Sequence, residues 1–256
     1  MRVLLLLVLF IAYPIQAETL PPGPFPTAEC LDCHQEKTPD IVEAWRTGPH
    51  RTPVAATGCV TCHGDLHAGA AARARRPQTC IGCHGGPNAP AVRSYSTSKH
   101  GVIATIEGDQ YDLSKRLADA NYRAPSCAYC HFYDGGHGAA MTTIDACYDC
   151  HSPRYANTLF EAGRRGIDVG LLKVQEAEEA VADWRRQGKL TAQEGKELDA
   201  LLRTMRDGPL TSLRLGTAHQ SPDYQWWFGQ AALDGALLRI KARLSRIIRE
   251  KALKER

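Results

Sequence analysis

Ten cysteines fall into five pairs, Cys30/Cys33, Cys59/Cys62, Cys80/Cys83, Cys127/Cys130 and Cys147/Cys150, each pair split by two residues. None is left over. Two thiols at this spacing can close disulfides in an exported protein, grip zinc or add to a cofactor. Zinc ribbons compete seriously, because seventeen residues separate Cys62 from Cys80 and sixteen separate Cys130 from Cys147. The next residue discriminates. Histidine follows every pair, as His34, His63, His84, His131 and His151. With 10 histidines in 256 residues, chance would do this in on the order of one sequence in ten million. Neither disulfides nor zinc ribbons need that histidine. Covalent c-type haem does, because the thiols add to the porphyrin vinyl groups and the adjacent imidazole reaches the iron. The pattern predicts five covalently bound haem c groups, with the five following histidines as proximal ligands.

Five histidines remain: His50, His67, His100, His137 and His219. That number equals the distal ligands that five six-coordinate irons need, so all five are candidate distal ligands. Chain length restricts which iron each can serve. His67 lies four residues after His63, a span of at most about 14 Å, too short to round a porphyrin edge. It should serve another haem than that of Cys62 and His63. His137 lies six residues after His131, about 20 Å at full stretch, which makes its own haem marginal and a neighbouring one the expectation. Methionine is nearly excluded, since Met141 and Met205 are the only ones beyond Met1. Two histidines per iron imply low potentials, because no axial methionine raises them.

The N-terminus reads as a secretory signal over residues 1–17. Arg2 precedes an apolar run too short to span a bilayer, and Ile15-Gln16-Ala17 offers a cleavage site. The location implied is periplasmic or secreted. A formal charge of +3 and export both argue against a nucleic-acid partner. Most of the fifteen prolines and 22 glycines fall in the first two-thirds, which should be loop-rich and hold no core of side chains alone. Covalent cofactors would supply the missing apolar mass.

The elements that must position these ligands follow from local signals. Residues 38–47 read as a helix with Pro39 in its first turn, which places His50 just past the end. Residues 70–76 and 111–120 read as further short helices. Long helices are expected over 171–187, 191–207 and from 222 to the end. Thr191 and Glu194 carry a capping-box signature, Ser221-Pro222 a cap with proline at the first helical position, and Gly208-Pro209 a stop. The last helix carries Leu233, Leu237, Ile240, Leu244 and Ile247 at heptad spacing. This seam could pack on the protein's own haem domain, join a second copy or meet an anionic membrane surface. The fold class expected is mainly α: a loop-rich multihaem cytochrome c domain organised around five haems, followed by long C-terminal helices. The domains expected are 18–160 for haem binding and 161–256 for a helical region contributing a distal histidine.

Several stretches resemble the octahaem hydroxylamine oxidoreductase family. ECLDCHQEKTPDIVEAWRTGPH resembles its first haem segment, in which the histidine after the helix is a distal ligand. SKHGVIA resembles a distal-ligand segment that follows the sixth haem, and APSCAYCH and ACYDCHSPRYANTL resemble the seventh and eighth haem segments. AHQSPDY resembles a late segment, and the resemblance implies a ligand role for His219. The departure matters more. The middle haem segments, including the five-coordinate catalytic haem, have no room between Cys80–His84 and the SKHG stretch. The tyrosine cross-link to that haem would fall near Tyr224, where its target is missing, so Tyr224 reads as a packing residue. Pentahaem nitrite reductases, with a CxxCK motif and a longer chain, fit less well. The expectation is an electron carrier rather than a substrate-converting enzyme, relaying electrons between redox partner proteins such as a membrane quinol-oxidising cytochrome and a terminal reductase. The alternative is a small oxidoreductase acting on hydroxylamine, nitrite or a related oxyanion at one open haem. Its helpers would be Tyr133 and Asp134 beside His137, or Asp223 and Tyr224 beside His219.

Overall fold

The computed structural model describes residues 25–51, 57–115, 122–138 and 144–254. The signal expected over 1–17, and Met141, lie outside the described residues. Within them the regular elements are all helices, with no strand, as the mainly α expectation requires.

Short helices come first: α1 Thr27–Lys37, α2 Pro39–Thr47, α3 Cys59–His63, α4 Ala70–Arg75, α5 Pro77–Ile81, α6 Pro90–Ser96, α7 Lys99–Glu107, α8 Cys127–His131 and α9 Asp145–Tyr148. Then follow α10 Pro153–Arg186, α11 Ala192–Met205, α12 Thr211–Ala218, α13 Pro222–Tyr224 and α14 Ala231–Lys254. Proline opens α2, α5, α6, α10 and α13, where a missing N–H costs nothing. The proline-rich composition therefore divides the first part into short helices rather than abolishing them. Ser152 caps α10 by accepting from the Tyr155 N–H, and Thr191 and Glu194 close both arms of the capping box on α11.

Two expected boundaries change. Gly208-Pro209 does not stop the helix; the chain passes from α11 to α12 through a widened π turn, Arg206–Leu210. A wider turn spares the usual clash of proline with the preceding carbonyl, and the Thr211 hydroxyl donates to the Arg206 carbonyl at 3.2 Å. The long helix expected from 171 begins instead at Pro153 and runs 34 residues, about 50 Å. It crosses the 160/161 boundary without a break. Residues 111–115 form turns rather than the start of a helix, and 116–120 lie outside the described residues.

The side-chain core sits almost wholly in the C-terminal part. Val174, Ala177 and Val181 of α10, Leu198 and Leu202 of α11, Leu213 of α12 and Leu233, Ile240, Leu244 and Ile247 of α14 form one buried cluster. The apolar seam of α14 is spent inside this cluster, with Leu237 packed at its edge. It faces α10 and α11, rather than the haem-binding part, a second copy or a membrane. Ion pairs such as Arg185–Asp199, Arg243–Glu197 and Lys173–Asp234 rim the core, each contributing at most about 1 kcal/mol. Among the described residues no helix is long and apolar enough to cross a membrane.

Among the described residues before 152 the buried apolar side chains are few: Val42, Leu113, Ala124 and Ala146. That part is joined to the C-terminal bundle where α6 lies on α12. Ile240 is 1% exposed at the centre of the bundle. Ile240→Ala should lower the unfolding free energy by about 2–5 kcal/mol, read by chemical denaturation and circular dichroism, while the amount of attached haem stays unchanged.

Candidate haem centres

The Cys-pair turns are built alike. On a helix, positions i, i+3 and i+4 share one face, so each turn presents two thiols and an imidazole together. The motifs of α3 and α8 coincide with those helices, and Cys30, Cys33 and His34 lie inside α1. The other two begin at the ends of α5 and α9, and the helical hydrogen bond continues past them: His84 N donates to Cys80 O at 3.0 Å and His151 N to Cys147 O at 2.9 Å. All ten thiols are free, which fits attachment to a cofactor rather than disulfides. The zinc-ribbon reading fails too. Among the described residues no group of three or more metal-binding side chains converges.

The histidines meet in pairs instead. Each ring that follows a Cys pair faces one ring from a distant segment. His34 faces His67 with centroids 6.4 Å apart, His63 faces His137 at 6.0 Å, and His84 faces His50 at 6.2 Å. His131 faces His219 at 6.4 Å, and His151 faces His100 at 6.0 Å. Two imidazole nitrogens each about 2 Å from a shared metal hold their ring centroids about 6 Å apart. Each of the five pairs is therefore spaced so that its two rings could hold one metal ion between them. His67 and His137 both meet a histidine other than the nearest one in sequence.

Second atoms on these rings orient them. His219 Nδ1 lies 2.7 Å from the hydroxyl of Ser94, which is fully buried and donates to Ala91 O at 2.8 Å. The hydroxyl must then accept from His219 Nδ1–H, which leaves Nε2 as the free lone pair. His137 Nδ1–H donates to Gly135 O at 2.7 Å, and His34 Nδ1 lies 3.0 Å from Thr38 Oγ1. A metal-bound histidine ordinarily commits its other nitrogen in this way. Burial first, then the facing imidazole, lowers the pKa of His219 to about 4. His50, His63 and His100 are lowered by burial and then by His84, His137 and His151 respectively. Neutral imidazole is the ligating form.

Short elements deliver each distal ring. His50 sits on the turn Pro49–Arg51 just after α2. A Cβ at Gly48 would lie 2.8 Å from the carbonyl oxygen of His137, so glycine lets the two ligand-bearing backbones cross. Ser98 caps α7 by accepting from the Gly101 N–H at 3.1 Å, which fixes His100 in the first turn. Phe132 stacks on His50 and meets His137 edge-on, Phe25 tilts against His67, and Tyr155 against His151.

Successive turns stand beside one another in chain order. After burial, the charge of Cys30 raises the Cys59 thiol, and Cys80 and Cys83 raise that of Cys62. Cys80 and Cys127 share a hydrogen bond that raises Cys80 and lowers Cys127. Burial, then Cys147, pushes Cys130 up to about 11.

Two of the helpers named for an enzyme have other partners. Tyr133 donates to Asp149, and Tyr224 is 3% exposed and stacks on Phe228 at 4.8 Å. Met205 is buried in the C-terminal core. Ser94, Thr38, Phe132 and Arg73 were not legible as site residues in the sequence. Only Phe132, directly after a motif, carried any signal.

A family profile described as seven times multi-haem cytochrome CxxCH matches residues 46–143 and 139–197, more than half of the chain. The chain belongs to the multihaem cytochrome CxxCH family. This multihaem cytochrome carries five such motifs rather than seven. It is also 39% identical over 111 residues to a Kuenenia stuttgartiensis protein described as a probable nitrite reductase-hydroxylamine oxidoreductase fusion protein. The match covers 38% of this chain and 13% of that relative's length. In fold it is similar to a chain of a reducing HAO-like protein complex from the same organism, with a TM-score of 0.60 at 18% identity, covering 90% of this chain and 86% of the other. The hydroxylamine oxidoreductase-like architecture expected from the sequence thus holds.

Arg73 is the hinge pin of the second turn. Its guanidinium donates to His63 O at 2.7 Å, Leu66 O at 2.6 Å and Ala68 O at 3.1 Å, wrapping the loop between His63 and His67. Arg73→Ala should cost about 2 kcal/mol and speed amide exchange across residues 64–68, measured by hydrogen–deuterium exchange.

Proposed function

We propose that this chain is a five-haem electron-transfer protein in which every iron is held between two histidines. The single observation that carries the reading is the set of five facing pairs, which engages all ten histidines of the chain. Haem c supplies a one-electron ferric/ferrous couple. The ten cysteines would anchor the porphyrins, and the irons would be held by His34 with His67, His63 with His137, His84 with His50, His131 with His219, and His151 with His100.

Closing both faces keeps substrates off the metal. A paired site needs no acid, base or nucleophile, and the chain's work reduces to ligation, spacing and burial. The turns follow one another from Cys30 to Cys150, which favours a single file of redox sites over separate ones. Two histidines per iron favour low potentials. The leader-like residues 1–17 and the covalent attachment chemistry favour a periplasmic or secreted location. The similarity in fold to a chain of a reducing HAO-like protein complex favours work beside redox partner proteins, such as a membrane quinol-oxidising cytochrome as donor and a terminal reductase as acceptor.

Carbon monoxide tests this directly, because it binds only a ferrous iron with an open position. The reduced native protein should take up none. His219→Ala and His137→Ala should each keep full haem attachment and gain one carbon monoxide site. Uptake by the native protein would point instead to an open iron and a reaction on hydroxylamine, nitrite or a related oxyanion. Variants that behaved like the native protein would refute the pairing.

A further inference from the structure

The last junction in the file of Cys-pair turns carries a polar bridge that ligation does not require. Tyr129 lies between Cys127 and Cys130, and Asp149 lies between Cys147 and Cys150. The Tyr129 hydroxyl donates to Asp149 Oδ2, and the Tyr133 hydroxyl lies 3.2 Å from both oxygens of the same carboxylate. The two phenol rings meet edge-on, with centroids 5.9 Å apart. One carboxylate on the fifth turn thus collects two phenols, one from the fourth turn and one from just after it.

Asp149 directly precedes Cys150, which sets its carboxylate beside the anchoring atoms of the fifth turn. Cys130 and Cys147 interact across the same junction. Two donors would be satisfied by a neutral amide oxygen as well as by a carboxylate. What the carboxylate adds is charge, and a negative charge beside an iron favours its oxidised state.

We infer that Asp149 is a positioning residue for charge: fixed by Tyr129 and Tyr133, it makes the site of Cys147, Cys150 and His151 harder to reduce. The inference rests on the electron-carrier reading above. In exchange between the last two sites, one iron gains the electron that the other loses, and no proton moves. Asp149 biases that exchange toward leaving the electron on the side of Cys127, Cys130 and His131.

The test compares the native holoprotein with Asp149→Asn and Asp149→Glu. Haem per chain is counted by mass, spin state by electron paramagnetic resonance, and midpoint potentials by spectroelectrochemical titration. Asp149→Asn should shift one midpoint upward with haem number and low-spin signals unchanged, and Asp149→Glu should stay near the native value. No shift in Asp149→Asn, or equal shifts in both variants, would overturn the inference. So would loss of haem or of a low-spin signal in Asp149→Asn, since the bridge would then be a brace for folding. Failure of the carrier reading shows separately, as a high-spin signal in the native protein.

Discussion

Facing imidazoles are the constraint on which the N-terminal part depends. Each pair joins a Cys-pair turn to a segment remote in sequence: α1 to the loop after α3, α3 to the loop after α8, α8 to the end of α12. Few apolar side chains are buried there to make the same connections. As proposed ligand pairs the facing imidazoles would do two jobs at once, since the rings that would hold an iron also define which loops are neighbours. Loss of one of these rings would therefore release a segment from its neighbour.

The C-terminal bundle is built on the opposite principle. Its core is leucine, isoleucine and valine in close contact, with capping and ion pairs at the rim. It reaches the haem-binding part through a small polar seam, Ser94 to His219 and Thr97 to Ser221, between α6 and the end of α12. Arg93 over the Phe228 ring closes the same seam. The helical bundle thus carries His219, at the end of α12, into the haem-binding part, where Ser94 fixes it.

Much of the site was legible because haem attachment is written in adjacent residues. Cys, Cys and His must share one helical turn, so the motif survives as a local pattern. The equality of five motifs with five further histidines was also readable, and so was the short reach that sends His67 and His137 to other partners. Which ring meets which was not, because that is set by crossings such as Gly48 over the His137 backbone. The start of α10 was hidden for a related reason. Gly163 and Gly170 interrupt its helical pattern, yet both are contact points, pressed by Thr217 and by Leu213 and Leu233. Gly208-Pro209 misled because a stop signal and a π turn look alike in sequence. The α14 seam was readable as apolar but not as internal, since its partners on α10 and α11 lie 40 to 70 residues away in sequence by rough count.

The measurement that bears most directly on the central claim is electron paramagnetic resonance of the oxidised holoprotein, with haem per chain quantified on the same sample. Five haems per chain, all giving low-spin ferric signals, are the result that two histidines on every iron require. A high-spin ferric signal approaching one per chain would contradict it, and would mean that at least one facing pair does not close on a metal.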